Sequence, residues 1–241
     1  MIGKGVFFLF SFPRHKHSHT AVMSKKLYQK IKKQNIEYRH VAEVGVYKPE
    51  SASSVGFINE GVLCSLFEAN PDIAKEITER FANRKNVRIY PYAICGFNGK
   101  VKLHKAGASS FLDSVAASPA LLHDNYVKKE YNAVEVEARV FSAFDEGDID
   151  VLYVDVEGGE WDVIKEMRSR PKVLCLEIKS RDYTNPHIGQ LTNWLEKNSY
   201  EIWFSDDTDT IFVKKGIVRI GLLQKIARRI HSVRYFRGKL A

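Results

Sequence analysis

Acidic residues are missing from both ends of this chain. Residues 1–36 hold eight Lys or Arg and no Asp or Glu, and residues 214–241 hold nine and no acid. The formal net charge of +8 therefore belongs to two terminal segments, and between them 20 basic residues face all 29 acids. A body of that sign does not attract a phosphate backbone over its face, which argues against a nucleic-acid partner. Cysteine is scarce as well. Cys64, Cys95 and Cys175 stand apart with no C-x-x-C spacing, so neither a zinc site nor a disulfide framework is written here, and a reducing cytoplasm is expected. The longest apolar run, Gly5 to Phe12, is far short of the ~20 residues of a spanning helix. It leads into Pro13-Arg14-His15-Lys16 rather than a small-residue cleavage site, which makes a poor signal peptide.

What is present suits one α/β domain: 241 residues, 44% hydrophobic and 12% aromatic, enough for a full core with short appendages. Its organising stretch is His40 to Asn70, HVAEVGVYKPESASSVGFINEGVLCSLFEAN. His40 to Val46 is apolar enough for a strand buried on both faces, and Gly45 permits a sharp turn. Pro49 and Glu50 suit the first turn of a helix carrying Val55 and Ile58 toward a sheet. Gly61 then turns the chain into a second strand, Val62 to Phe67, with Glu68 at its carboxyl end. This βαβ unit can hold a nucleoside, with Glu68 placed to accept hydrogen bonds from two ribose hydroxyls.

On either side the pattern continues. Met23 to Gln34 predicts an amphipathic helix, and the preceding HKHSH sets His15, His17 and His19 at alternate positions, a metal-binding face in a strand or a solvated turn otherwise. The turn is the favoured reading, since no carboxylate or cysteine lies nearby to complete a metal site. Asn70-Pro71-Asp72 opens a helix buried through Ile73, Ile77 and Phe81. Val87 to Tyr90 reads as a third strand, and Pro91 to Ile94 leaves it at the same rim, where the backbone of Ala93 and Ile94 can line an adenine pocket. Asn98-Gly99 predicts a two-stranded surface excursion over Ala93 to His104. Residues 105–131 lack a period and read as a lid or binding segment, before a strand at Val134 to Val140. Val151 to Asp155 is a fourth buried strand that delivers Asp155 and Glu157 to the rim. Gly158-Gly159 turns into a helix, Pro171 to Ile178 is a fifth strand with Glu177 near its end, Pro186 to Asn198 a covering helix, and Tyr200 to Phe204 with Thr210 to Val213 a closing hairpin.

These parts in this order resemble the class I S-adenosylmethionine-dependent methyltransferases, and among them the FkbM family. The resemblance spans about Val41 to Val213 and rests on VAEVGVYKPES, LFEANP, YPYAICGFNGKVKL with its later SSF, and above all VLYVDVEGGEWDVIKEM followed by PKVLCLEI. It implies a Rossmann-like fold: a mostly parallel seven-stranded sheet, a C-terminal antiparallel hairpin, and helices on both faces. It also implies S-adenosylmethionine as cofactor and O-methylation of a hydroxyl on a sugar, glycan or other small molecule. Carried over by position, Glu43 and Gly45 lie beside the methionine part of the cofactor, Glu68 on the ribose, and Asp155 and Glu157 face the methyl group and acceptor. Where the family commonly has a second glycine, four residues after the first, this chain has Pro49, so Ser51 or Ser53 is expected to supply a hydroxyl to the cofactor instead. Glu157 is the expected general base, with His104 and His123 as alternatives.

The expected division is a basic N-terminal segment and leading helix at 1–36, the methyltransferase domain at 37–213, and a basic amphipathic tail at 214–241. In the tail, Leu222, Leu223, Ile226, Ile230 and Val233 share one helical face, which suits peripheral membrane contact of a cytoplasmic protein. The competing reading from another class is a module that keeps the fold with little or no turnover and binds a membrane surface or acidic partner. An NAD-dependent oxidoreductase ranks last, because Gly45-Val46-Tyr47-Lys48-Pro49 is not G-x-G-x-x-G.

Overall fold

In the computed structural model, which describes residues 16–115, 117–123, 126–179, 183–206 and 208–219, the chain begins with α1 (Lys16–Lys33) and passes into β1 (His40–Val44). A 3-10 turn at Pro49–Ser51 and the short α2 (Val55–Asn59) lead to β2 (Leu63–Phe67), α3 (Pro71–Phe81) and β3 (Val87–Tyr90). The excursion comes next: β4 (Ala93–Ile94), β5 (Gly99–His104), β6 (Phe111–Leu112), α4 (Pro119–His123) and β7 (Ala133–Arg139). The chain then re-enters the sheet as β8 (Val151–Val154), α5 (Glu160–Lys165) and β9 (Val173–Leu176), and closes with α6 (Ile188–Lys197), β10 (Tyr200–Ser205) and β11 (Thr210–Lys214).

The main sheet is seven-stranded in the order β10-β11-β9-β8-β1-β2-β3, parallel except for β11, which runs antiparallel to both β10 and β9. This is the Rossmann-like α/β architecture the sequence implies. One face is covered by α1, α2 and α3 through Met23, Leu27, Ile31, Phe57, Ile58, Ile77 and Phe81, the other by α5 and α6 through Val163, Ile164, Leu191 and Leu195. The four-residue spacing of Met23, Leu27 and Ile31 gives α1 its buried stripe. Its polar side is pinned by Glu60, whose carboxylate accepts from Lys32 Nζ at 2.8 Å, Tyr28 Oη at 2.6 Å and Tyr38 Oη at 2.6 Å. Those bonds, Lys32 foremost, hold the Glu60 carboxyl down at about 2. At the head of α3, Asn70 Oδ1 accepts from Asp72 N, with Pro71 in the first turn, as the sequence predicts.

Two expectations change. Ala93 to His104 is not a self-paired hairpin: β7 inserts between β4 and β5, giving a second sheet in the order β4-β7-β5-β6. Two residues of β4 offer too few ladder bonds to hold a hairpin alone, whereas six residues of β5 align with β7. The HKHSH segment is helical from Lys16 onward, neither strand nor turn; at helical pitch, residues two apart diverge by about 200°, so alternate spacing no longer marks one face. Residues 105–131, which show no period in sequence, contain the short β6 and α4, and the segment does contribute to the cleft lining through Gly107, Ala108 and Ser110 to Leu112. His15, the apolar run Gly5 to Phe12 and the amphipathic pattern Leu222 to Val233 lie outside the described residues. Among the described residues no helix is long and apolar enough to cross a membrane.

Candidate functional site

The cleft is built where β1 and β8 end side by side. Val44 pairs with Val154, and Asp155 N donates to Val44 O at 3.0 Å, which brings Asp155 under the turn that leaves β1. Gly45 makes that turn at φ +93°, and a Cβ there would stand 1.9 Å from the carbonyl oxygen of Asp155. Any side chain would fill the crossing, so the close approach requires glycine. Gly45 N and Val46 N both donate to Phe67 O, tying the turn to the end of β2.

Glu43 holds the loop between this turn and α2. Its buried carboxylate accepts from Ser53 N at 2.8 Å, Ser54 N at 2.9 Å and Ser54 Oγ at 2.6 Å, closing the chain in front of the helix. Burial raises its pKa and the serine bonds oppose that rise. The carboxylate lines the cleft but spends these acceptor sites on its own loop. Ser51 also lines the cleft, and its hydroxyl donates to Lys48 O at 3.3 Å. Ser53 and Ser24 of α1 share a hydrogen bond of 2.6 Å between their hydroxyls.

Glu68 sits at the end of β2, half-buried at the cleft wall, and accepts from Asn70 N at 2.6 Å. Burial pushes its carboxyl up to about 8, against the neighbouring backbone N–H groups of Asn70 and Ala69. Tyr92, Ala93 and Ile94 line the same wall, the two strand residues buried. Gly107, Ala108, Ser110, Phe111 and Leu112 from the excursion line it as well.

The turn after β8 gives each residue of Asp155-Val156-Glu157-Gly158-Gly159-Glu160 a separate task. Asp155 and Glu157 line the cleft, and the Asp155 Oδ1 atom is buried without a hydrogen-bond partner among the described residues. Glu157 is 2% exposed and held at φ +56°, a left-handed conformation unfavourable for a glutamate by roughly 1–2 kcal/mol. Such strain persists where the surroundings hold it. Gly158 continues at φ +109°, and a Cβ there would meet Ala117 O at 2.9 Å. Glu160 is the clamp: fully buried, it accepts from Val156 N at 3.1 Å, Gly158 N at 3.2 Å and Asn185 Nδ2. Burial pushes its carboxyl up to about 7. The sequence expectation stops at Glu157 and gives Glu160 no role, although its place one residue past the paired glycines marks it as the acid nearest the turn's N–H groups. Glu177, from the end of β9, comes to the same place, and carboxylate oxygens of Asp155, Glu157 and Glu177 lie within 4.8 Å of one another. Oxygen donors at that spacing can hold a hard divalent cation.

The two histidines stand differently. His104 Nε2 lies 2.7 Å from Asp113 Oδ1, which also accepts from Lys128 Nζ at 3.0 Å, and its ring stacks on Phe111. His104 together with Lys128 draws the Asp113 pKa down. Strand alternation turns Leu103 into the cleft lining and His104 away from it. His123 is the last residue of α4.

Set against known proteins, residues 43–202 match a family model described as the methyltransferase FkbM domain. No curated protein matched the chain in sequence. Among solved structures, the chain is similar to magnesium protoporphyrin IX methyltransferase from Synechocystis PCC 6803 with bound SAM, at 11% identity and a TM-score of 0.45, covering 88% of this chain and 87% of that one. It is similar as well to precorrin-6y C5,15-methyltransferase from Geobacter metallireducens GS-15, at 14% identity and 0.41, covering 85% and 92%. A third is ribosomal protein L11 methylase from Lactobacillus delbrueckii subsp. bulgaricus, at 12% identity and 0.41, covering 85% and 81%.

Proposed function

The chain belongs to the FkbM methyltransferase domain family, and from that premise we propose that it transfers a methyl group from S-adenosylmethionine to a hydroxyl of a sugar, glycan or other small acceptor. The observation that carries the reading is the pair Asp155 and Glu157, delivered together into a cleft that Glu68 also lines. The residues present fit the donor. Gly45 brings the turn after β1 into the cleft lining, Asp155 Oδ1 lacks a protein partner among the described residues, and Glu68 lines the cleft from the end of β2.

When bound, S-adenosylmethionine supplies an electrophilic methyl group on a sulfonium. The protein's work is alignment and proton management. Glu68 would accept hydrogen bonds from the ribose hydroxyls, and Ala93 and Ile94 would line the pocket for the base. Asp155 would balance the cofactor's positive charge in the ground state and so would serve affinity more than rate. Glu157 takes the hydroxyl proton as the new carbon–oxygen bond forms, and its interaction strengthens toward the transition state. Glu160 positions both by holding the turn.

Single-turnover transfer from methyl-labelled S-adenosylmethionine, with cofactor affinity measured in parallel, tests the assignment. Glu157→Gln is expected to cut the rate by about 10²-fold or more with affinity nearly unchanged, and Asp155→Asn to weaken affinity. An unchanged rate in Glu157→Gln removes it as the base.

A further inference from the structure

Helix α1 and the turn after β11 belong to the two acid-free segments of the chain, and they meet on one side of the main sheet. Val218 of that turn lies in the same core cluster as Met23, Leu27 and Ile31 of α1, on the side away from α5 and α6. Lys172 joins the two segments at the rim, since its Nζ donates to Glu37 O at 2.6 Å and its carbonyl oxygen accepts from Lys214 N at 3.0 Å. Along its 18 residues α1 carries Lys16, Lys25, Lys26, Lys30, Lys32 and Lys33 and no acid. The helix dipole favours cations in the last turn, which accounts for Lys30, Lys32 and Lys33, and Lys32 is held by Glu60 as well. It does not account for Lys25 and Lys26 in mid-helix. Both are exposed, as are Lys215 and Arg219, and none of these four has an ion pair among the described residues. Between Lys215 and Arg219, Ile217 stands 38% exposed.

Unpaired charges of one sign gathered on one side of a domain are complementary to a negative partner. We propose that α1 and the turn after β11 form a single docking face for an anionic phospholipid surface. The chain that continues from this face in either direction is apolar as well as basic. Gly5 to Phe12 precedes α1, and beyond Arg219 Leu222, Leu223, Ile226 and Ile230 are interleaved with Lys225, Arg228 and Arg229. That mixture suits a headgroup layer, in which apolar side chains are buried while lysine and arginine meet lipid phosphates. A nucleic acid would satisfy the charges but offers no apolar layer, and Ile217 would gain nothing from it. The acid excess of the body does not oppose such docking, because the field of a lipid surface decays within about 10 Å. This docking goes beyond the methyl-transfer reading and does not depend on it.

Sedimentation of the full chain with phosphatidylcholine vesicles, made with and without phosphatidylserine, tests the docking face. Binding is expected only where phosphatidylserine is present, and is expected to fall steeply as salt is raised. A basic residue close to such a surface contributes about fivefold in affinity. Lys25→Gln/Lys26→Gln and Lys215→Gln/Arg219→Gln should therefore each weaken binding about 25-fold, while the charge-preserving Lys25→Arg/Lys26→Arg binds as the parent does. No sedimentation with either vesicle, or equal sedimentation with both, overturns the proposal. Undiminished binding in either glutamine pair denies that the two segments act as one face. Transfer RNA that strips the parent from vesicles, and whose own binding is lost in the same glutamine pairs, assigns the face to nucleic acid instead.

Discussion

Glu68 should make cofactor binding depend on pH in a window where most carboxylates do not titrate. In the free protein burial pushes its carboxyl up to about 8, so near neutral pH it holds a proton. Two ribose hydroxyls donating to it favour the ionised form, and binding must expel that proton. If only the ionised form bound, the apparent dissociation constant would scale as 1 + 10^(pKa − pH), about 100-fold above its limit at pH 6 and about twofold at pH 8. The neutral carboxyl still accepts one hydroxyl, so we expect affinity to rise by roughly 10- to 50-fold over that range. The ligand of choice is 5′-methylthioadenosine, which has the ribose but neither sulfonium nor ammonium. Calorimetry at pH 7 in two buffers of different ionisation enthalpy should register release of nearly one proton. Glu68→Gln should bind more weakly, by about 1.5–3 kcal/mol at pH 8.5, and lose the pH dependence. Affinity that is flat from pH 6 to 8.5 in the parent, or proton release that survives in Glu68→Gln, refutes the reasoning. The same shift acts on folding with a definite sign. A carboxyl whose folded pKa lies above its unfolded one favours the native state most at low pH, so this contribution declines as pH rises from about 4.5 to about 8.

Gly45→Ala should destabilise the fold by about 2–5 kcal/mol, because φ +93° disfavours a Cβ by about 1–2 kcal/mol and the 1.9 Å overlap with Asp155 O moves backbone at a further ~1–3 kcal/mol; a urea-melt difference under about 1 kcal/mol would contradict the crossing. Glu160→Ala should lower stability by about 3–5 kcal/mol, since Val156 N, Gly158 N and Asn185 Nδ2 lose a buried acceptor at 1–3 kcal/mol each without full additivity. Its methyl transfer should fall even at temperatures where circular dichroism shows it folded, and full activity in that folded variant would deny Glu160 its positioning role.

The part of this fold that is legible in the sequence is whatever adjacent residues write. Asn70-Pro71-Asp72 caps α3 as its spacing requires, and the uninterrupted apolar run VLYV is a central strand with Asp155 just beyond it. Chain position is a weaker guide to side-chain duty. Its place before Gly45 assigns Glu43 to the cofactor, yet a carboxylate buried that deeply takes its nearest N–H donors, and these come from Ser53 and Ser54, ten and eleven residues downstream. The row of Glu43, Tyr153 and Cys175 is still less visible, because the three meet only through the register of three strands, and Asp209 joins the same cleft lining from just before β11. Tyr153 illustrates the difficulty: within VLYV it counts as one more apolar strand residue, and only the absence of a partner for its oxygen among the described residues sets it apart. A phenylalanine there would preserve the periodicity and the burial. It would remove just the hydroxyl, so a urea melt of Tyr153→Phe isolates the cost of burying that unpartnered group from the cost of packing the ring.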